Sequence, residues 1–397
     1  MSLLYVLFFL DMLNLAVFLP VFSPFIKSIG GTPFTLGILN SSGALISLLW
    51  NPIVGSLSDQ IGRKGLLIKC FWASAIGSLL MASSNSLIVA FFGKLIGSLG
   101  TGVGILLRST VADIYKTAEE KKTFFNKCAS FMSVGFLLGS VSSGFISERE
   151  NGFSLAFLLM AGIMGVASLI SMRTLPDDSP TPNQVNSETS ILDTGVTELK
   201  SAAANLKTIS WDRYKSIFYI KGFYDLSTSI IFSNIGLILV NDFDVKGRTI
   251  GYVFMMVSLF RIAANILKLK LKNVLAKITV KNQIIGGEIV LFIGYIAMAL
   301  SESIFVFMLF LATMVFARAF LDTMLTEVIT TKTTQMDRGK VIGAYENLYS
   351  FNMFVAPLLS GILSPVFGQR FILGSAAIPI AISIAVANGE AESEKTE

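Results

Sequence analysis

The sequence predicts an all-α membrane protein in which twelve transmembrane helices form two pseudo-symmetric halves of six. Three observations predict it. Hydrophobic residues make up 53% of the 397-residue chain and charged residues only 14%, and the mean hydropathy is +0.70. That is more apolar sequence than one water-soluble core absorbs. Twelve runs reach the length of about 20 mostly apolar residues that a bilayer crossing needs. One long polar stretch, near 173–216, separates them into six and six.

In order, the runs are 3–26, 35–57, 66–83, 87–111, 128–147, 153–172, 217–240, 250–267, 284–301, 303–328, 341–366 and 371–388. The first has no basic leader and no small-residue cleavage site, so it reads as a retained helix. The polar, acidic stretch 389–397 is unlike a lipid-anchor tail. The dividing stretch opens with Pro176-Asp177-Asp178-Ser179-Pro180 and is rich in Ser, Thr and Asn, as a linker is. In its second half Leu192, Val196, Leu199, Ala203 and Leu206 recur every three or four residues, which suggests an amphipathic helix on the membrane surface. The expected domains are therefore 1–172 and 217–388, joined by a cytoplasmic linker at 173–216 and followed by an acidic tail at 389–397.

Orientation follows from the basic residues, which collect on the cytoplasmic side. With both termini cytoplasmic, 21 of the 31 Lys and Arg residues fall in inner loops, linker and tail. Five (Lys27, Arg149, Lys246, Arg248 and Arg370) fall outside, and five (Lys94, Arg108, Lys221, Arg261 and Arg318) lie within helices. The opposite topology breaks the bias at nearly every loop.

Composition also narrows function. The chain has no histidine, which excludes His proton relays, His metal sites and Ser-His catalysis. Cys70 and Cys128 lie in or beside apolar runs, so no disulfide framework is implied. No nucleotide-binding loop or metal cluster is present, so no enzyme, cofactor or metal is expected. The net charge of +5 is spread over many loops, so nucleic acid is not an expected partner.

The most informative polar break is Gly55-Ser56-Leu57-Ser58-Asp59-Gln60-Ile61-Gly62-Arg63-Lys64-Gly65, where glycines flank an Asp and an Arg-Lys pair. Such a turn bends sharply while its charges meet neighbouring helix ends. The halves also echo each other. Phe9-Leu10-Asp11-Met12 matches Phe223-Tyr224-Asp225-Leu226, Arg108 and Asp113 match Arg318 and Asp322, and 139–144 matches 356–361. Weak internal repeats of this kind mark transporters built from two related halves.

On these residues the chain resembles the major facilitator superfamily of secondary transporters over nearly its whole length. Gly93 to Ile114, ending Val111-Ala112-Asp113-Ile114, resembles the tetracycline-transporter-like branch of drug–proton antiporters. Lys27-Ser28-Ile29-Gly30, the Arg108-to-Asp113 spacing and Ala356-Pro357-Leu358-Leu359-Ser360-Gly361 carry a narrower resemblance to its orphan group called major facilitator superfamily domain-containing protein nine. The chain departs from the family at Lys94, where an arginine is usual, and at Ser140 and Ser143, which replace a proline and a glycine of the helix-five antiporter motif. The second half lacks the Asp–Arg turn and has only a lysine-rich loop from Lys268 to Lys281.

The resemblance implies that Asp59, Arg63 and Asp113 latch the cytoplasmic side of the first half against helix eleven in the outward-open state. A carboxylate at a helix N-terminus gains from the macrodipole, and one guanidinium can bridge two carboxylates. A charge at mid-membrane costs about 2.5–3.5 kcal/mol, so Asp11, near half depth, is either a proton carrier or a structural hydrogen-bond partner. Arg108 can neutralise an anionic substrate, counter a proton-carrying carboxylate, or snorkel to the inner surface. Arg318 and Asp322 are candidates for a proton or substrate site, or, being one turn apart, a pair that satisfies itself locally. Glu346 begins the inward-facing stretch of helix eleven, and Asp225, Glu288 and Glu327 lie nearer cytoplasmic ends. Gly135, Gly139, Gly144, Pro357 and Gly361 are helix-packing positions that the resemblance links to antiport. Phe8, Phe9 and Phe232 are candidates to line an apolar cavity.

The expected activity is secondary active transport of a small organic solute, proton-coupled and working by alternating access. An uncoupled facilitator, or a receptor derived from a transporter, are the alternatives. The expected partners are the solute, protons and the lipid bilayer, and the expected state is a monomer. Glycosylation acceptors placed after Glu150 and Asp244 are expected to be modified in the lumen, whereas one in the 180–195 linker stays unmodified. Modification of the linker acceptor overturns this topology.

Overall fold

Backbone N–H and C=O groups find no water in hydrocarbon, so each crossing segment satisfies them internally as a helix. The computed structural model describes residues 2–175, 197, 200, 201, 204, 207–333 and 338–393. Among these residues, twelve helices are long and apolar enough to cross a membrane. They are α1 (Ser2–Ser28), α2 (Pro33–Ile61), α3 (Arg63–Ala82), α4 (Leu87–Ile114), α5 (Ala118–Ser147) and α6 (Gly152–Thr174). The second set is α7 (Trp211–Asn241), α8 (Gly247–Leu275), α9 (Val280–Leu300), α10 (Ile304–Lys332), α11 (Arg338–Phe367) and α12, which is Gln369–Ser375 continued by Ala377–Ser393. The apolar positions of the expected surface helix, from Leu192 to Leu206, lie outside the described residues.

Several helices outrun their apolar stretch, each for a local reason. α5 begins ten residues before the expected 128, because Thr117 and Glu120 form a reciprocal capping box: Glu120 N–H donates to Thr117 Oγ1 (3.2 Å) and Thr117 N–H to Glu120 Oε2 (3.1 Å). α7 begins at Trp211 rather than 217. α8 continues to Leu275, so most of the expected Lys268–Lys281 loop is helical and only 276–279 connects α8 to α9. α4 is an α-helix over Leu87–Ser98 and again over Val103–Ile114, with a 3₁₀ turn at Leu99–Gly102 between them. The Trp50 indole N–H of α2 donates to the Leu99 carbonyl there (2.8 Å).

Two compact units emerge. The first holds residues 1–31, 42–204 and 246–255. Its core joins α1 to α5 and α6, and α3 to α4 and α6. Phe25 meets Phe157 edge-on (4.9 Å) and Tyr5 stacks on Phe124 (4.4 Å). The start of α8 belongs here because Glu148 holds Arg248 (3.3 Å) and α5 approaches α8 closely: a Cβ on Gly144 would lie 3.1 Å from Gly251 Cα. The second unit holds 32–41, 205–245 and 256–397. Its centre is α7, packed on α11 and α12, with Tyr214, Tyr224, Tyr295 and Tyr345 fully buried. The start of α2 belongs here: Ser41 Oγ donates to the Phe354 carbonyl (2.6 Å), and a Cβ on Gly37 would lie 2.5 Å from the Pro357 carbonyl oxygen. Cys70 and Cys128 are both free and buried.

α3 and α4 approach each other closely in the first unit. A Cβ on Gly77 would lie 2.5 Å from Gly97 N and 2.6 Å from the Gly93 carbonyl oxygen, all backbone atoms that cannot swing aside. Gly77→Ala is therefore expected to destabilise the protein by about 1–3 kcal/mol, the usual cost of overpacking. Gly104→Ala is the control, because nothing lies within 4 Å of its Cβ position. Thermal melts in detergent check both, and equal melts for the two variants refute the close contact.

Candidate functional site

The turn at 55–65 closes in a single residue. Asp59 stands in the last turn of α2, Gly62 adopts φ 93°, and Arg63 opens α3. That positive φ is cheap only for glycine. Arg63 Nη2 then reaches Asp59 Oδ1 (3.1 Å), and Nε reaches Asp113 Oδ2 (2.6 Å) near the end of α4. The three expected partners thus meet within the first unit. The expected dipole gain does not hold. Asp59 and Asp113 both sit at helix C-termini and Arg63 at an N-terminus, so each charge occupies the end whose dipole opposes it. Their mutual pairing offsets three unfavourable placements. Asp59 is 67% and Asp113 55% exposed, so each bond is worth at most about 1 kcal/mol.

Deeper in the first unit, Asp11 of α1 is half-buried and makes no ion pair or side-chain hydrogen bond among the described residues. The structural hydrogen bond weighed from the sequence is not formed. The charge that acts on Asp11 is Arg108 of α4, which also acts on Cys128 of α5. One turn beyond Asp11, the buried Asn14 Oδ1 has no partner. Nearer the start of α4, the Lys94 ammonium lies over the rings of Phe18 (4.2 Å) and Phe22 (5.0 Å) of α1. Aromatic faces stabilise a desolvated cation by roughly 2 kcal/mol. The sequence marks Lys94 only as a substitution, and the Phe18–Phe22 spacing of one helical turn is the signal for its ring pair. Phe8 packs on Phe124 and Phe125 (6.1 and 6.4 Å) as a core residue rather than a cavity wall.

In the second unit Arg318 and Asp322 of α10 pair loosely, Nε to Oδ2 at 3.7 Å. α7 contributes what the sequence reading missed. The Tyr224 hydroxyl donates to Asp322 Oδ1 (2.8 Å), and the Arg318 guanidinium lies over the Phe232 ring (4.7 Å). Asp225 is not near an end but 14 residues into α7, buried and paired with Lys221 (2.8 Å). Its Oδ2 is unpartnered. Glu288 of α9 is also fully buried: the Ser383 hydroxyl of α12 lies 2.6 Å from Oε1, while Oε2 has no partner. Glu346 of α11 is exposed. Among the expected packing positions, Gly135 and Gly139 seat α5 on α1, where added Cβ atoms would lie 2.6 Å from Phe9 O and 2.5 Å from Leu13 O. Gly361 and the Pro357 carbonyl flank Gly37, and Gly144 faces Gly251.

A sequence model of the Major Facilitator Superfamily matches residues 4–221 and again 217–392. The class E tetracycline resistance protein of Escherichia coli is 28% identical over 187 residues, 46% of this chain and 45% of that protein. The quinolone resistance protein NorA of Staphylococcus aureus is 26% identical over 176 residues, 44% of each chain. The chain thus matches less than half the length of these relatives. Among solved structures, the nucleoside transporter NupG superposes with a TM-score of 0.74 at 16% identity, covering 97% of this chain and 96% of that one. The human organic anion transporter MFSD10 (TETRAN) gives 0.65 at 16% identity, covering 97% and 98%. At that identity the likeness is one of fold.

Arg63→Ala leaves two carboxylates facing each other at opposed dipole ends, and a loss of about 1–2 kcal/mol is expected. Adding Asp113→Asn to it should restore part of that loss. A double-mutant cycle of thermal melts measures the coupling, and strict additivity of the two changes refutes the bridge.

Proposed function

Because this chain belongs to the Major Facilitator Superfamily, we propose that it is a secondary active transporter of a small organic solute, of drug-efflux type, exchanging its solute for protons by alternating access. Asp11 is the observation that carries this reading. It is a carboxyl at membrane depth with no committed partner, within reach of the Arg108 charge, in a chain that has no histidine to move a proton. A carboxylate in that position is costly to keep unless it does something, and binding and releasing a proton is what it can do. Its half-buried setting leaves part of the side chain uncovered by the protein's own atoms.

The drug-efflux class rests on the relatives' names and on the 93–114 stretch, and the affinity to the orphan group rests on Lys27 to Gly30 and 356–361. The Asp59–Arg63–Asp113 cluster fits a cytoplasmic latch: its pairs are weak enough individually to break within the few kcal/mol that separate transport states. Lys221 with Asp225, and Arg318 with Asp322 and Tyr224, supply a second set of charges in the other unit that a transport cycle can rearrange. The domain limits of 1–172 and 217–388, both cytoplasmic termini and a monomeric state belong to the same reading.

Asp11→Asn should fold and insert normally yet lose nearly all proton-driven flux. The check uses proteoliposomes with an imposed pH gradient and a panel of tetracycline- and quinolone-like solutes, with the gradient collapsed as control. Parental flux with unchanged pH dependence makes Asp11 structural. Flux that ignores the gradient in the parent makes the protein a facilitator, and binding without flux makes it a receptor.

A further inference from the structure

The second unit holds a cleft of about 540 Å³ between α8 and α10, within the size range of small-molecule sites. Arg261 and Lys268 of α8 face Asp322, Thr323, Thr326 and Glu327 of α10 across it. Arg261 stands 14 residues from either end of α8, and Lys268 follows two turns later on the same face. Glu327 lies five residues beyond Asp322, toward the C-terminal end of α10. Lys268 meets Ala319 and Thr323 of α10, and Glu327, a lining carboxylate with no side-chain partner among the described residues, stands one turn beyond Thr323.

Each polar group in the cleft can be followed to its partner. Asp322 is committed: Tyr224 donates to Oδ1 at 2.8 Å and Arg318 Nε lies 3.7 Å from Oδ2. The threonine hydroxyls are spent on their own helix, Thr323 on the Ala319 carbonyl (3.1 Å), Thr326 on the Asp322 carbonyl (2.7 Å). Lys268 donates only to neutral acceptors, the Ala319 carbonyl (2.7 Å) and the Thr323 hydroxyl (2.5 Å). Arg261 makes no ion pair and no side-chain hydrogen bond among the described residues. The spare donors of the cleft are thus the Arg261 guanidinium and what remains of the Lys268 ammonium. Formal charge along the lining is balanced, Arg261 and Lys268 against Asp322 and Glu327, so the asymmetry lies in the partners: Asp322 is already engaged by Tyr224 and Arg318, and Arg261 is not.

The geometry points to an oxyanion subsite formed by Arg261 and Lys268, which takes the carboxylate of a soluble organic anion while the rest of the cleft holds its body. Calling that anion a substrate rests on the transporter reading above; the subsite itself does not. A guanidinium offers a planar fork matched to a carboxylate, and an ammonium two turns away adds a second charge to the same group or its neighbour. A cationic ligand would meet both like charges and one exposed carboxylate, Glu327. A neutral one would leave the Arg261 guanidinium without an anionic partner.

The test uses the purified full-length chain in phosphatidylcholine nanodiscs at neutral pH and low salt, with three probes of one shape: 1-naphthoate, 1-naphthamide and 1-naphthylmethylammonium. Naphthoate is expected to bind saturably and raise the melting temperature, with the amide and the ammonium weaker by roughly tenfold or more. Arg261→Gln and Lys268→Gln should each weaken naphthoate roughly tenfold while the melt of the free protein holds, and Arg261→Lys should keep much of the affinity. Because the probe ranking is read on the parental chain, it decides even if a glutamine variant fails to fold. Ammonium binding as tight as naphthoate overturns the subsite, and so does unchanged naphthoate affinity in both glutamine variants. Loss of naphthoate binding when phosphatidylglycerol is added assigns the cations to a lipid headgroup and overturns the soluble-anion assignment. Naphthoate that binds but never crosses proteoliposomes under any gradient sinks the transporter reading and leaves the subsite standing; gradient-driven flux of other solutes without naphthoate binding does the reverse.

Discussion

A charge carried into hydrocarbon must find its compensation inside the protein, because no water waits there to supply it. That constraint explains more of this structure than any single helix contact. Lys94 lies on two aromatic rings. Lys221 and Asp225 neutralise each other one turn apart. Arg318 divides its charge between Asp322 and the face of Phe232. Glu288 has only the Ser383 hydroxyl. Lys94 on the α1 rings and Tyr224 on Asp322 compensate between helices, whereas Lys221 with Asp225 and Arg318 with Asp322 pair within one helix. Asp11 and Arg261 make no ion pair among the described residues.

Close helix approach is the second theme, and it divides along the chain. In the first unit α3 and α4 touch through Gly77, Gly93 and Gly97, and α1 meets α5 at Gly135 and Gly139. Here carbonyl oxygens stand against Cα atoms, so small residues set the spacing. In the second unit the centre is filled by buried tyrosines; the Tyr224 hydroxyl reaches Asp322, while those of Tyr214 and Tyr345 have no hydrogen-bond partner among the described residues. One unit packs by absence of side chains and the other by large amphipathic ones.

The fold was legible in the sequence because a run of about 20 apolar residues has few alternatives to a crossing helix. Helix ends were less legible. The start of α5 is written in polar residues, Thr117 and Glu120, that an apolar window passes over, and the lysines of 268–275 continue α8 because helix propensity does not distinguish a loop lysine from a helical one. Of the site, the Asp59–Arg63–Asp113 meeting could be read from spacing and resemblance, but the opposed dipoles could not, since they depend on which helix end each residue occupies. Lys221 and Asp225 stand four apart, a visible pairing signal; their depth was hidden by the misplaced start of α7. The Tyr224–Asp322 bond joins residues 98 apart, and no local pattern announces it.

The 3₁₀ turn of α4 has a consequence for the two cations on either side of it. An α-helix advances about 100° per residue and a 3₁₀ segment about 120°, so four residues in the tighter winding rotate everything after them by roughly 80°. Lys94 precedes that segment and Arg108 follows it, and both address α1, one through Phe18 and Phe22, the other through Asp11. The angular phase between them is therefore set by the backbone winding of Leu99–Gly102 rather than by either side chain. Unwinding this segment to plain α-helix, with the Trp50 bond to Leu99 released, would swing Arg108 around the α4 axis while Lys94 kept its rings. In that arrangement α4 is a torsional element whose turn also draws Arg108 about 2 Å along the axis, because each residue rises about 2.0 Å in a 3₁₀ turn and about 1.5 Å in an α-helix.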